Sequence, residues 1–341
     1  MRSHSLLVLS AAAALLLLAG CRTGDVNPQI AIDRYVQGQL FADEGDMDAA
    51  LAELAAAVQA DPTLSVAYAA AGDIHRKRGN WEAAAESYED ACRTNPFSFK
   101  PHYHLGLAYQ TLAGVAKAAE QVRHYLLRAV EAYLRANILD PTDADTNLNL
   151  AACYFDLGQF DMAEQYCKAA IEINPNDPYS HSNLGVICES QDRLYDAIRA
   201  YKASLEIDAH QPQVLMSLGS AYARQNRLKQ AVNAYELAAA EDPTDPLPWE
   251  QIGSCYYRIG EHDKAEQAYL KAVELGSDGS AAAYRGLGVV YMTQFVLDQT
   301  QTELRDKALA AWHSSLEAKP NQKDLQKLVE KYTPAYEGLQ L

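Results

Sequence analysis

The chain has 341 residues, 49% of them apolar and 22% charged, a composition that excludes an intrinsically disordered protein. Its 45 Asp and Glu outweigh 29 Lys and Arg, and the net charge of −16 excludes the broad basic footprint that nucleic acid requires. The same charge opposes unassisted adsorption to an anionic lipid surface, and 21 tyrosines against 6 phenylalanines point to half-buried rings with wet hydroxyls.

Arg2 precedes Leu6-Leu7-Val8-Leu9-Ser10 and an apolar run that ends at Gly20. That run is about fifteen residues, short of the roughly 20 that cross a bilayer, so a secretory signal is expected over residues 1–20. Its end, Leu18-Ala19-Gly20-Cys21, resembles the lipobox of bacterial lipoproteins. The resemblance implies that the Cys21 thiol receives a diacylglycerol and becomes the first mature residue. Arg22, where an inner-membrane retention signal has Asp, implies the outer membrane and its periplasmic face. Residues 21–30, with Gly24 and Pro28, read as the lipidated cysteine and a short linker that extends at most about 30 Å.

Beyond the linker the chain repeats. Gly38, Gly72, Gly106, Ala151, Gly185, Gly219, Gly253 and Gly288 set a common register. Twelve residues after six of them stands alanine, at Ala50, Ala84, Ala163, Ala197, Ala231 and Ala265. Ala129 and Ala308 come later in their units because those units carry insertions. Pro62, Pro96, Pro141, Pro175, Pro243 and Pro320 recur near the unit ends. The pattern resembles the tetratricopeptide repeat over residues 31–322. That resemblance implies an all-α fold, a right-handed α-solenoid of about eight helix–turn–helix units. They are placed at 31–64, 65–98, 99–143, 144–177, 178–211, 212–245, 246–279 and 281–322. Small residues at positions 8, 20 and 27 let helices approach closely, bulky ones such as Leu184, Tyr222 and Tyr235 fill the gaps, and proline at position 32 stops the second helix. Leu325, Leu328, Val329 and Tyr332 keep helical spacing, so residues 323–341 are expected to form a capping helix over 323–332 and a tail.

Two insertions interrupt the period. Eleven residues around 113–123 are rich in Ala, Lys, Glu and Gln and so helical by propensity, and they amount to nearly three whole turns. Eight residues around 294–301 are more mixed. Both fit either elongated helices or additions to the binding side.

Chemistry-bearing motifs are sparse. Cys92, Cys153, Cys167, Cys188 and Cys255 fall on or beside packed faces without zinc spacing, with Cys167–Cys188 as the one bridge the spacing of adjacent units suggests. His102 and His104 are two apart and point in different directions on a helix, while His102 and His181 occupy a position that usually holds a core ring. Residues 276–280 lack the Gly-Lys-Ser/Thr ending of a phosphate loop and read as a turn. No hydrolase, zinc-protease or kinase signature occurs, so neither an enzyme, a metal nor a cofactor is expected.

In the tetratricopeptide family the first helix of each unit lines an inner groove through positions 2, 5, 6, 9, 12 and 13. Position 6 reads Asn149, Asn183, Ser217 and Gln251 in units four to seven. Carboxamides and hydroxyls there pair with the backbone of an extended peptide, or else merely solvate the face. The run resembles the asparagine ladder in the repeat arm of nucleocytoplasmic O-linked N-acetylglucosamine transferases, with Ser217 and Gln251 as departures and no glycosyltransferase domain following. Tyr35, Tyr103, Phe155, Tyr179, Tyr257, Met216 and Met292 fall on the same positions and are candidate anchors for a partner segment. Six acids, including Asp73, Glu189 and Glu250, are matched there by six bases. Arg224, Arg258 and Arg285 gather in units six to eight, which suggests a grip on an acidic stretch of the partner.

The expected function is a non-catalytic, lipid-anchored scaffold that binds a protein or extended peptide in its groove during cell-envelope assembly. The layout resembles pilotins of type IV pilus secretins, repeat adaptors of peptidoglycan hydrolases and an outer-membrane assembly lipoprotein. The alternative is a substrate-recruiting arm for a separate envelope enzyme: a transferase, protease or peptidoglycan hydrolase.

Overall fold

The computed structural model describes residues 26–276 and 280–333. The signal stretch, Cys21, residues 277–279 of the proposed turn and the tail from 334 lie outside the described residues. Seventeen α-helices and no strand occur among them. They divide into two units, one ending at Leu157 and one starting at Gly158.

The first unit holds α1 (Pro28–Glu44), α2 (Met47–Ala60), α3 (Ser65–Lys77), α4 (Trp81–Thr94), α5 (Phe99–Val115), α6 (Ala119–Leu139) and α7 (Ala144–Asp156). The second holds α8 (Phe160–Ile173), α9 (Pro178–Ser190), α10 (Leu194–Ile207), α11 (Pro212–Arg224), α12 (Leu228–Glu241) and α13 (Leu247–Ile259). It continues through α14 (His262–Leu275), α15 (Ala281–Leu297), α16 (Thr302–Ala318) and α17 (Lys323–Tyr332). Odd-numbered helices up to α15 are the first, or A, helix of a repeat and even-numbered ones the second, or B. No helix among the described residues is long and apolar enough to cross a membrane.

Two local rules produce the hairpins. Position 15 adopts the left-handed conformation at Gly45, Gly79, Gly158 and Gly260, and also at Asp192 and Asn226, both with φ 59°. Glycine has no Cβ to clash there, and Asp and Asn tolerate it best among other residues. The second rule ends the B helix. A residue that precedes proline is pushed out of the α region, and Asp61, Asn95, Asp140, Asn174, Asp242 and Lys319 all stand extended before proline at the last turn. Asp61, Asp140 and Asp242 then accept from the amide and hydroxyl of the threonine two residues on, which locks the turn and holds the Asp61 and Asp242 carboxyls below their usual range.

The long repeats keep the hairpin by lengthening both arms. Against the 13- and 14-residue helices of α3 and α4, α5 has 17 residues and α6 has 21, so four and seven extra residues absorb the whole eleven-residue insertion. The eight-residue insertion adds four residues to α15, three to α16 and one to the turn between them. Both insertions are therefore elongations. The lengthened A helices end on extended Ala116 and Asp298 and need no left-handed residue.

In six of the eight repeats the core is a ring laid over a glycine. A Cβ added at Gly72 would meet the Tyr88 ring at 2.7 Å, and one at Gly106 would meet Tyr133 at 2.6 Å. In the second unit the corresponding distances are 2.4 Å for Gly185 to Tyr201, 2.5 Å for Gly219 to Tyr235, 2.8 Å for Gly253 to Tyr269 and 2.2 Å for Gly288 to Trp312. Position 8 is small because position 24 lies across it. At the end of the second unit, α17 buries Leu325 and Val329 in a cluster with Trp312, Leu309 and Val290.

Candidate functional site

The residues expected to meet a partner lie on A helices, and the structure gives them different duties. In the first unit Tyr103 is half-buried. Its ring stacks on Phe99 with centroids 5.8 Å apart, meets Tyr133 edge-on at 5.9 Å and His104 at 5.4 Å. The Asn149 carboxamide donates to its hydroxyl at 3.5 Å, the outer limit of a hydrogen bond. Burial raises the Tyr103 pKa, and so does the nearby Asp145 charge. His104 stacks on Tyr88 at 5.6 Å, and burial lowers its pKa; its Nδ1 and the Nε of Arg76 are buried without a hydrogen-bond partner. Phe155 is half-buried on α7. This stretch is a platform of rings edged by amide and guanidinium groups.

In the second unit Tyr179, at the start of α9, is 66% exposed. Asn183 is half-buried and Gln251 exposed, and neither carboxamide bonds to another described residue. Ser217 hydrogen-bonds the Tyr201 hydroxyl, which itself donates to Glu189 at 2.9 Å. Met216 is packed against the core, and the Tyr257 hydroxyl lies 3.0 Å from that of Thr293. Met292, expected as an exposed anchor, is instead core: it is 6% exposed and belongs to the cluster that holds Leu309 and Trp312.

The arginine grip requires correction. Arg224 donates to Glu189 at 3.0 Å and to Asp192 at 2.6 Å. Arg258 donates to the Ala223 carbonyl at 3.1 Å and to Asn226 at 3.2 Å. Each is at position 13 and braces the turn of the preceding repeat, the one whose position 15 is left-handed without glycine. A cation there also meets the negative end of the A helix it touches. Arg224 and Arg258 are turn braces, and Arg285 at position 5 makes no ion pair among the described residues. The signal was present in the sequence, since Asp192 and Asn226 each stand 32 residues before their arginine.

Tyrosines at position 24 were read only as gap fillers, yet two also fix acids on the A-helix face. The Tyr88 hydroxyl donates to Asp73 at 2.6 Å, as Tyr201 does to Glu189. His102 and His181 have a further duty: each ring nitrogen meets the carbonyl of the proline that ended the repeat before, Pro96 at 3.1 Å and Pro175 at 2.9 Å.

The Cys167–Cys188 pairing that the unit spacing suggested is not formed, and all five described cysteines are free. Cys167 instead donates to the Ser180 carbonyl at 3.1 Å, and burial pushes its thiol up to about 12. Among the described residues no three His, Cys, Asp or Glu side chains converge on a possible metal position.

Residues 6–248, more than half of the chain, match the family described as the cilia and flagella-associated protein 70 C-terminal domain, and residues 248–276 match the tetratricopeptide repeat. No curated protein matches the chain. Among solved structures, the Pseudomonas aeruginosa pilF protein is 20% identical, with 65% of this chain and 96% of that one covered at a TM-score of 0.50. MamA is 21% identical over 52% of this chain and 92% of its own, at a TM-score of 0.48. YrrB, a TPR protein with an unusual peptide-binding site, is 18% identical over 59% and 99%, at 0.49. At these identities the likeness concerns the fold alone. The chain belongs to the tetratricopeptide-repeat family, in the group described as the cilia and flagella-associated protein 70 C-terminal domain.

Proposed function

We propose that the protein is a non-catalytic scaffold that holds an extended segment of a partner protein along its A-helix face. Cys21 carries the lipid that ties it to the periplasmic side of the outer membrane, and the assembly it serves is part of the cell envelope. One observation carries the binding role: Asn183, Ser217 and Gln251 occupy the same position on three successive A helices, and two of the three have no partner among the described residues. Packed helices lie about 8–10 Å apart and an extended chain rises about 3.3 Å per residue, so every third residue of a bound segment meets a rung. A carboxamide both donates and accepts, which suits a backbone of any sequence.

A photo-cross-linker at position 183 or 251 of the full chain is expected to capture the same protein from cells. One at Lys202 or Glu206, exposed on α10, is expected to capture none. Asn183→Ala with Gln251→Ala is expected to weaken that association at least tenfold. Equal capture from both faces would remove the reading, and a captured transferase, protease or peptidoglycan hydrolase would select the recruiting-arm alternative. Cys21→Ser is expected to move the protein from the membrane to the soluble fraction, and an unchanged membrane fraction would remove the anchor.

A further inference from the structure

With Arg224 and Arg258 committed to turns, three other cations of the second unit lie around one cavity. A cavity of about 640 Å³ opens where the A-helix face of the last repeat meets the capping helix. Arg285 from α15, Lys319 just after α16 and Lys323 at the start of α17 line it. All three are exposed, and none pairs with a described carboxylate. Of the two acids in the lining, Asp324 is 3.4 Å from Lys327, and Glu250 accepts from the Ser280 hydroxyl. Burial and the neighbouring Asp245 raise the Glu250 pKa, while the Arg285 charge lowers it.

We propose that this cavity receives the carboxylate side chains of an acidic stretch in the partner segment; the inference rests on the A-helix face being the binding face. In a chain of net charge −16, three cations that pair with no described carboxylate stand around one cavity, outnumber the two acids that line it and favour anions there. They come from three separate elements around a space in the size range of whole ligand pockets, an arrangement that meets several spaced carboxylates one by one. A single phosphate would fill little of it. Val289, Leu325 and Leu328 supply the apolar wall against which the stems of Glu side chains lie.

The test uses the full chain and a fluorescent, end-blocked hexaglutamate peptide, with hexaglutamine as control. Hexaglutamate is expected to bind at least tenfold more tightly than hexaglutamine. Lys319→Glu with Lys323→Glu is expected to cut its affinity at least tenfold while leaving the melting temperature unchanged. Arg285→Gln is expected to weaken it several-fold. Equal binding of the two peptides, or an unaltered affinity in the lysine double variant, would overturn the proposal. So would displacement of the peptide by equimolar inorganic phosphate, which would mark a phosphate site. Loss of the cross-linked partner in Asn183→Ala with Gln251→Ala reports on the face, and loss of the hexaglutamate preference over hexaglutamine in Lys319→Glu with Lys323→Glu reports on the cavity.

Discussion

Gly185 shows how one missing methyl group organises a repeat. Replacing glycine by alanine inside a helix ordinarily stabilises it by about 1 kcal/mol. Here the new Cβ would stand 2.4 Å from the Tyr201 ring, and overpacking of that kind costs about 1–3 kcal/mol. Gly185→Ala is therefore expected to lower stability by roughly 1–2 kcal/mol, the clash outweighing the propensity. In a Tyr201→Cys background the ring is gone, and the same change is expected to be neutral or stabilising. A double-mutant cycle in chemical denaturation reads this coupling, and additive effects would contradict it. The fourth repeat carries that combination naturally, with Ala151 at position 8 and Cys167 at position 24. Small residues at position 8 were legible from their spacing. The rings that require them, and the acids those rings hold, became visible only when position 24 was seen crossing position 8.

Helices and hairpins obey their own bookkeeping. An insertion in a stacked repeat survives when both arms lengthen together, since the added turns continue the buried face without shifting its register. The four and seven residues added to α5 and α6 do that: Leu112 and Ala113 are buried in the first, and Val122 and Tyr125 are half-buried in the second. At the other end α17 covers the last hairpin, a demand made by any stack whose final apolar face would otherwise meet water. Leu325 is 5% exposed and packs in the Trp312 cluster. Leu325→Ala is expected to cost about 2–4 kcal/mol. The change should release α17 and shift the fluorescence of Trp312 to the red before the bulk of the helices melt. A Trp312 signal that changes only with global unfolding would place α17 outside the cooperative stack.

Across the molecule, acid should act unequally on the two units. His75, His102 and His104 all lie in the first unit, and burial holds each below the ordinary imidazole value of 6.5. Arg76 and Lys100 push His104 further down while Asp73 opposes them. The unfolded chain therefore takes up protons that the folded unit resists, so stability present above about pH 6.5 is lost as pH falls below it. His210 in the second unit is shifted the other way by its contact with Glu241, and being fully exposed it contributes little. Hydrogen exchange at pH 7 and pH 5, corrected for intrinsic rates, is expected to show protection falling first in α3 to α6. His104→Phe is expected to flatten that loss. Parallel decline in both units would contradict the assignment.

Period, helix pairing and the apolar spacing of α17 could be read along the chain, because each depends on residues at fixed short separations on one or two helices, whereas the insertions fitted two readings until the helix lengths were seen. The lipobox pattern is equally local. The fate of Arg224 and Arg258, the burial of Met292 and the cationic cavity of Arg285, Lys319 and Lys323 could not be read that way. The arginines find their partners in a neighbouring repeat, the cap completes the cavity, and Met292 is covered in a cluster with residues of the facing helix α16. Whether a charge is spent on a turn or left facing solvent is settled only when those elements pack side by side.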